Sequence, residues 1–210
     1  MKSIKQLSII VLVAILFSSC AKIFYSPDAY TLAHNQKIIA IIPPTVSIAA
    51  KKNIDAEAMK EQQKTGSINF QKEMYSWMLK RKMQGKISQE LQDIETTNAK
   101  LKKARYPENP LTTAELCEVL GVDGIMTSNY GLSKPMSEGA AIVEAFLVDS
   151  RSSTNEVHAS LSIIDYSSKK MIWNYDYKSS GSLGSNPSKL VDDLLREAST
   201  KMPYMNHNMK

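Results

Sequence analysis

The stretch that decides the fold is Thr112-Thr113-Ala114-Glu115-Leu116-Cys117-Glu118-Val119-Leu120-Gly121-Val122-Asp123-Gly124-Ile125-Met126-Thr127-Ser128. Thr112 and Glu115 have capping-box spacing, in which each side chain satisfies the other's free backbone N–H. Leu116 and Leu120 share one helix face, and Gly121 supplies the left-handed stop. The β-branched and apolar residues that follow at once read as a strand. So short a helix-to-strand connection is characteristic of layered α/β units.

Working outward, Lys37-Ile38-Ile39-Ala40-Ile41-Ile42 is a nearly unbroken apolar run closed by Pro43-Pro44, as expected of a strand buried on both faces. Phe70, Met74, Trp77 and Met78 recur as the stripe of an amphipathic helix that starts near Ser67 and ends at Gly85. The polar residues 51–64 before it read as a loop or loose helix. Residues 86–94 read as a strand, with Thr96-Thr97 capping a helix over 98–104. In 156–165 the apolar Val157, Ala159, Leu161 and Ile163 alternate with polar residues. Met171, Trp173, Tyr175 and Tyr177 should share one side of a partner strand, joined through the Tyr166–Lys169 turn as an antiparallel hairpin. The last helix starts near Asn186-Pro187 and buries Leu190, Val191, Leu194, Leu195, Ala198 and Met202. The expected fold is α/β: one layered domain over 37–205 with a mixed sheet of about five strands, a C-terminal antiparallel hairpin and packed helices.

The first 20 residues are a different kind of segment. Lys2 and Lys5 precede an eleven-residue apolar run, Leu7 to Phe17, interrupted only by Ser8. A bilayer-spanning helix needs about 20 apolar residues, so this is the length of a signal-peptide core. Leu16-Phe17-Ser18-Ser19-Cys20 resembles a bacterial lipobox, with Phe17 where Leu usually stands three residues before the cysteine. Residues 1–19 are thus expected to be a removable lipoprotein signal, Cys20 the site of palmitate-type acylation and new N-terminus, and 20–36 a lipid-anchored tether. Ala21-Lys22 follows Cys20 without the Asp that retains enterobacterial lipoproteins at the inner membrane. By analogy the protein is expected at the outer membrane, facing the periplasm.

Composition narrows the function classes. Of 210 residues 43% are hydrophobic and 22% charged, which suits a globular chain and argues against wholesale disorder or a multi-span membrane protein. The net charge of +5 falls to +3 when Lys2 and Lys5 leave with the signal. The remaining cations are dispersed, their densest group being Lys80-Arg81-Lys82 at a helix end, so nucleic acid is not an expected partner. With Cys20 acylated, Cys117 has no partner for a disulfide, and we read it as a small buried hydrophobe.

Candidate chemistry is sparse. His34, His158 and His207 fall in the tether, on a strand's polar face and in the tail, without metal-ligand spacing. Gly181-Ser182-Leu183-Gly184-Ser185 lacks the Gly-x-Ser-x-Gly order of a hydrolase elbow, and no glycine-rich nucleotide loop is present. Asp123, Asp149 and Asp165 stand at strand or loop ends, where carboxylates can pair for acid/base work but where aspartate is also a common turn residue. No catalytic, cofactor-binding or metal residues are assigned, and the chain is not expected to be an enzyme.

Strand 38–42, the stretch Glu115 to Ile125 and the hairpin from Leu161-Ser162-Ile163-Ile164-Asp165 to Ile172-Trp173 resemble small Gram-negative envelope lipoproteins with the α/β domain of the TolB N-terminal and CsgG type. The resemblance spans about 37–203 and rests on short structural motifs. It implies a noncatalytic role in assembly, secretion or transport, as an outer-membrane-anchored adaptor or assembly factor with an envelope protein partner. Two other roles are open. One is a homo-oligomeric CsgG-like pore subunit, with Ala140 to Val148 in the 131–153 segment as the one candidate insertion. The other is a small-ligand-binding protein in which Trp173, Tyr175 and Tyr177 line the site.

Overall fold

The computed structural model describes residues 22–49, 55–133, 156–180 and 187–206. Its elements are β1 (Lys22–Tyr25), α1 (Ala29–Asn35), β2 (Ile38–Ile41), β3 (Thr45–Ile48), α2 (Ala56–Met83), β4 (Glu90–Leu91), α3 (Ile94–Lys103), α4 (Thr113–Leu120), β5 (Gly124–Leu132), β6 (Glu156–Asp165), β7 (Lys170–Ser180) and α5 (Pro187–Ser199). The strands form one mixed sheet of seven, in the order β1-β7-β6-β5-β2-β4, with β3 also on β5. The α/β layering and the C-terminal hairpin stand as expected, with two more strands than anticipated.

β5 organises the sheet. One edge pairs antiparallel with β6 along its whole length, from Gly124 opposite Asp165 to Leu132 opposite Val157. The other edge is shared by two parallel strands in succession: β2 takes Gly124–Met126 and β3 takes Asn129–Leu132. Pro43-Pro44 separates them, since proline lacks the N–H that a continuous ladder needs. β6, β7 and β1 continue antiparallel.

Alternation assigns the faces. Ile39, Ile41, Val46, Met126, Tyr130, Leu161, Ile163, Trp173 and Tyr175 join the large core under α2 and α5. Ala40, Ile42 and Ile125 on the opposite face meet Leu101 of α3 with Leu116, Cys117 and Leu120 of α4 in a smaller core. The last helix buries five of the six side chains its periodicity indicated, the sixth, Met202, being buried three residues past its end, and Phe70 stacks on Tyr130 with ring centroids 3.9 Å apart. α4 has the full Thr112/Glu115 capping box and a left-handed Gly121, φ 64°.

Several sequence expectations need correction. The proposed tether folds onto the sheet over 22–36: β1 pairs with β7, Lys22 opposite Asp176, and the Tyr25 hydroxyl donates to the Lys201 carbonyl at 2.6 Å. In α1, Ala29 and Ala33 are buried, so most of 20–36 belongs to the domain. α2 begins eleven residues before Ser67, at Ala56, capped by the Asp55 carboxylate, and buries Met59 one further stretch along the same stripe. The strand expected at 86–94 shrinks to Glu90–Leu91, because Asp93 caps α3 by accepting from the Thr96 N–H at 2.7 Å. Met171 is 43% exposed instead of joining the aromatic side of β7. A bulge opposite Ile163/Ile164 inserts one residue, so that buried Ile172 precedes Trp173 and the alternation slips.

Candidate functional site: the uncovered face of the sheet

Among the described residues, helices pack on one sheet face, and on the other they reach only β2 and the start of β5. No described element lies over the rest of that second face. Cross-strand registers line up its side chains in rows: Thr45, Asn129, Ser160, Asp176 and Lys22 in one, and Ser47, Gly131, His158 and Lys178 in the next. Each residue is there because period-two alternation sends its neighbours to the core. The rows form a shallow cleft of about 490 Å³.

Its polar groups are paired among themselves. Glu156 accepts from His158 Nε2 at 2.8 Å and forms an ion pair with Lys178. Hydrogen bonding to the Lys178 ammonium, then to His158, holds the Glu156 carboxyl below its usual range. Asn174 Nδ2 donates to Ser160 Oγ at 2.8 Å and to Ser162 Oγ at 3.0 Å. Imidazole and serine are therefore turned to different partners, without the nucleophile-to-base hydrogen bond of a hydrolytic site. The arrangement suits recognition of a polar surface through many small donors and acceptors. At the cleft's end, the Ser133 N–H donates to Glu156 O at 3.0 Å and the Glu156 N–H to Ser133 Oγ at 2.7 Å.

The remaining candidates are placed elsewhere. Asp123 and Asp165 reach the same end of adjacent strands, yet Asp123 is committed to backbone and Asp165 to two side chains and one backbone N–H. Asp123 Oδ2 accepts from the N–H groups of Lys37 and Ile38 at 2.8 and 2.9 Å. Burial alone would raise the Asp165 carboxyl, but donors from Ser167, Gln36 and Ser168 outweigh it and hold the group below its usual range. Both are turn residues in function. Cys117 is 1% exposed, and burial, with Asp165 and Asp123 nearby, pushes its thiol up to about 11. His34 is exposed in the last turn of α1. Arg81 lies over the Trp77 ring at 4.4 Å, at the end of α2 with Lys80 and Lys82. Trp173, Tyr175 and Tyr177 are buried in the helix-covered core, so their side chains are packing and not the wall of an open site. Cys20, Asp149, His207, the 181–185 loop and Ala140 to Val148 lie outside the described residues.

One polar cluster had no expectation attached. Three buried glutamines act as bridges between elements: Gln71 Nε2 donates to Ile41 O at 2.8 Å, Gln89 Nε2 to Ala33 O at 2.8 Å, and Gln36 Nε2 to Asp165 Oδ1 at 2.8 Å. The Tyr204 hydroxyl in turn donates to Gln36 Oε1, tying the C-terminal tail to the sheet end. Gln36 lies so close over Gly124 that a Cβ there would stand 2.0 Å from its Oε1. A glycine at the mouth of a strand is the signal that points to such a close approach. Among the described residues, no group of three His, Cys, Asp or Glu could hold a metal ion, and no helix is long and apolar enough to cross a membrane.

No family model matches the chain, and no curated protein matches it. Three solved structures are similar in chain path. The lipoprotein GNA1162 from Neisseria meningitidis is 14% identical with a TM-score of 0.43, over 79% of this chain and 96% of that one. The PelC dodecamer from Paraburkholderia phytofirmans is 8% identical with a TM-score of 0.38, over 90% and 99%. The LpoB C-terminal domain from Salmonella enterica is 9% identical with a TM-score of 0.32, over 69% and 81%. Similarities of this size establish no correspondence between residues.

Proposed function

We propose that this chain is an outer-membrane-anchored periplasmic lipoprotein that serves as a noncatalytic adaptor or assembly factor in a cell-envelope complex. The observation that carries the reading is the lipobox, Leu16 to Cys20, directly behind an apolar run too short to span a bilayer. The domain behind it supports the second half. Among the described residues, the candidates Asp123, Asp165 and His158 are engaged by backbone N–H groups or neighbouring side chains, and the open surface is a broad polar sheet face suited to a protein partner. The TolB- and CsgG-like motifs of the sequence point the same way.

Mass spectrometry of the N-terminus tests the anchor: the wild type should begin with acylated Cys20, and Cys20→Ala should not be acylated. An unmodified wild-type terminus refutes it. Crosslinking in intact cells followed by pull-down tests the adaptor role, with benzoylphenylalanine at Asn129 or Ser160 on the open face. A discrete envelope protein should be captured from these positions and not from Glu118 on α4. Recovery of the uncrosslinked protein alone from both sites argues against the role.

A further inference from the structure

The folding of residues 22–36 into the domain has a consequence for how the protein sits on a membrane. Lys22 is already paired with Asp176, and only Ala21 separates it from Cys20. Two consecutive Cα steps span at most about 7 Å. A thioether-linked lipid on Cys20 therefore leaves no slack between headgroups and sheet. This step rests on the acylation proposed above.

β1 is an edge strand, with β7 on one side and no strand on the other among the described residues. It carries Ile23, 37% exposed, and Phe24, 48% exposed, into solvent, and beside it Tyr30 of α1, whose ring stacks on Tyr25, is 52% exposed. Lys22 adds a cation two positions from Phe24 on the same face of β1, while Ile23 and Tyr30 flank the edge from the other face. Aromatic rings with flanking cations are the residues that favour the bilayer interface. We infer that edge strand β1, through Ile23 and Phe24, together with Tyr30 of the adjoining α1, lies directly against the lipid headgroups, so that the domain is docked on the bilayer and not suspended from it. A second protein layer is about 10 Å thick and does not fit the gap that the two-residue link permits. β4, the strand at the opposite edge of the sheet order, then faces away from the bilayer. Five strand spacings separate it from β1, about 24 Å.

Nitroxide accessibility on the lipidated full chain in phosphatidylethanolamine/phosphatidylglycerol vesicles tests this. Labels are placed at Phe24→Cys, at Tyr30→Cys in case the first substitution disturbs β1, and at Glu90→Cys on exposed β4. Buried Cys117 does not compete for the label. Positions 24 and 30 should be relaxed several-fold more by dissolved oxygen than by an aqueous nickel chelate, and position 90 should show the reverse. Equal nickel access at 24, 30 and 90, in protein whose acylated Cys20 is confirmed by mass, overturns the docking while leaving the anchor intact. Loss of acylation instead overturns the anchor. Protection at 24 and 30 that follows protein concentration without lipid assigns the edge to a second copy and also overturns the docking.

Discussion

Gly124→Ala should be the most destabilising glycine substitution in the sheet. Its Cβ would lie 2.0 Å from Gln36 Oε1 and 2.5 Å from Cδ, a separation that no relaxation of a few tenths of an ångström removes. Gln36 must swing away, which breaks its bond to the Asp165 carboxylate and strands the buried Tyr204 hydroxyl. The first bond goes to a charged group and is worth about 1.5–3 kcal/mol, and the neutral one about 0.5–1.5, so the cost is about 2–4.5 kcal/mol. For a domain of this size, each kcal/mol moves Tm by about 2–4 °C. Urea and thermal unfolding against Gly131→Ala make the comparison, because a Cβ at Gly131 meets nothing nearer than 3.7 Å. A double-mutant cycle sharpens it: in a Gln36→Ala background the Gly124→Ala penalty should largely vanish, since the clashing amide has gone. Equal stability of the two alanine variants, or an undiminished penalty without Gln36, refutes the close-approach argument.

Three further outcomes follow from the same contacts. The Asp165 carboxyl is held below its unfolded value, so its contribution is present above the ordinary carboxylate range and is lost as pH falls through the folded value; Asp165→Asn should flatten that part of an acid-unfolding curve, and an unchanged curve sinks the assignment. Cys117, buried with its thiol raised to about 11, should resist Ellman's reagent at neutral pH until the protein is unfolded, which absorbance at 412 nm reads directly. Leu194→Ala in α5 should cost about 2–5 kcal/mol, whereas Asn129→Ala on the open face should stay within about 0.5 kcal/mol, and similar costs by denaturant titration would contradict the assignment of faces.

How much of this was legible in advance depended on the range of the interactions. The α4 cap was readable because Thr112 and Glu115 are three residues apart and bond each other. α5 was readable because its burial stripe repeats within one helix. β1 was not. Lys22-Ile23-Phe24-Tyr25 is too short to show a pattern, and it is a strand only because Asp176 to Trp173 of β7 accept it across some 150 residues. The start of α3 was misplaced because both Asp93 and Thr96-Thr97 are acceptable caps locally. The geometry chose Asp93, leaving Thr97 buried within the helix with its hydroxyl on the Asp93 carbonyl.

The open face follows the same division. Alternation in 156–165 marked His158, Ser160 and Ser162 as polar-facing, but no spacing reveals that helices leave this part of the sheet bare. Nor could a glutamine at 36, 71 or 89 be told from a surface residue, because its burial depends on a backbone carbonyl or carboxylate distant in the chain. From the sequence alone come the α/β class, the hairpin, the helical burial stripes and the expectation of a lipid at Cys20, all carried by residues within a few positions of one another. Strand order, the edge position of β1, the fully engaged carboxylates and the uncovered polar face were decided only by tertiary structure, because each depends on which distant segments become neighbours.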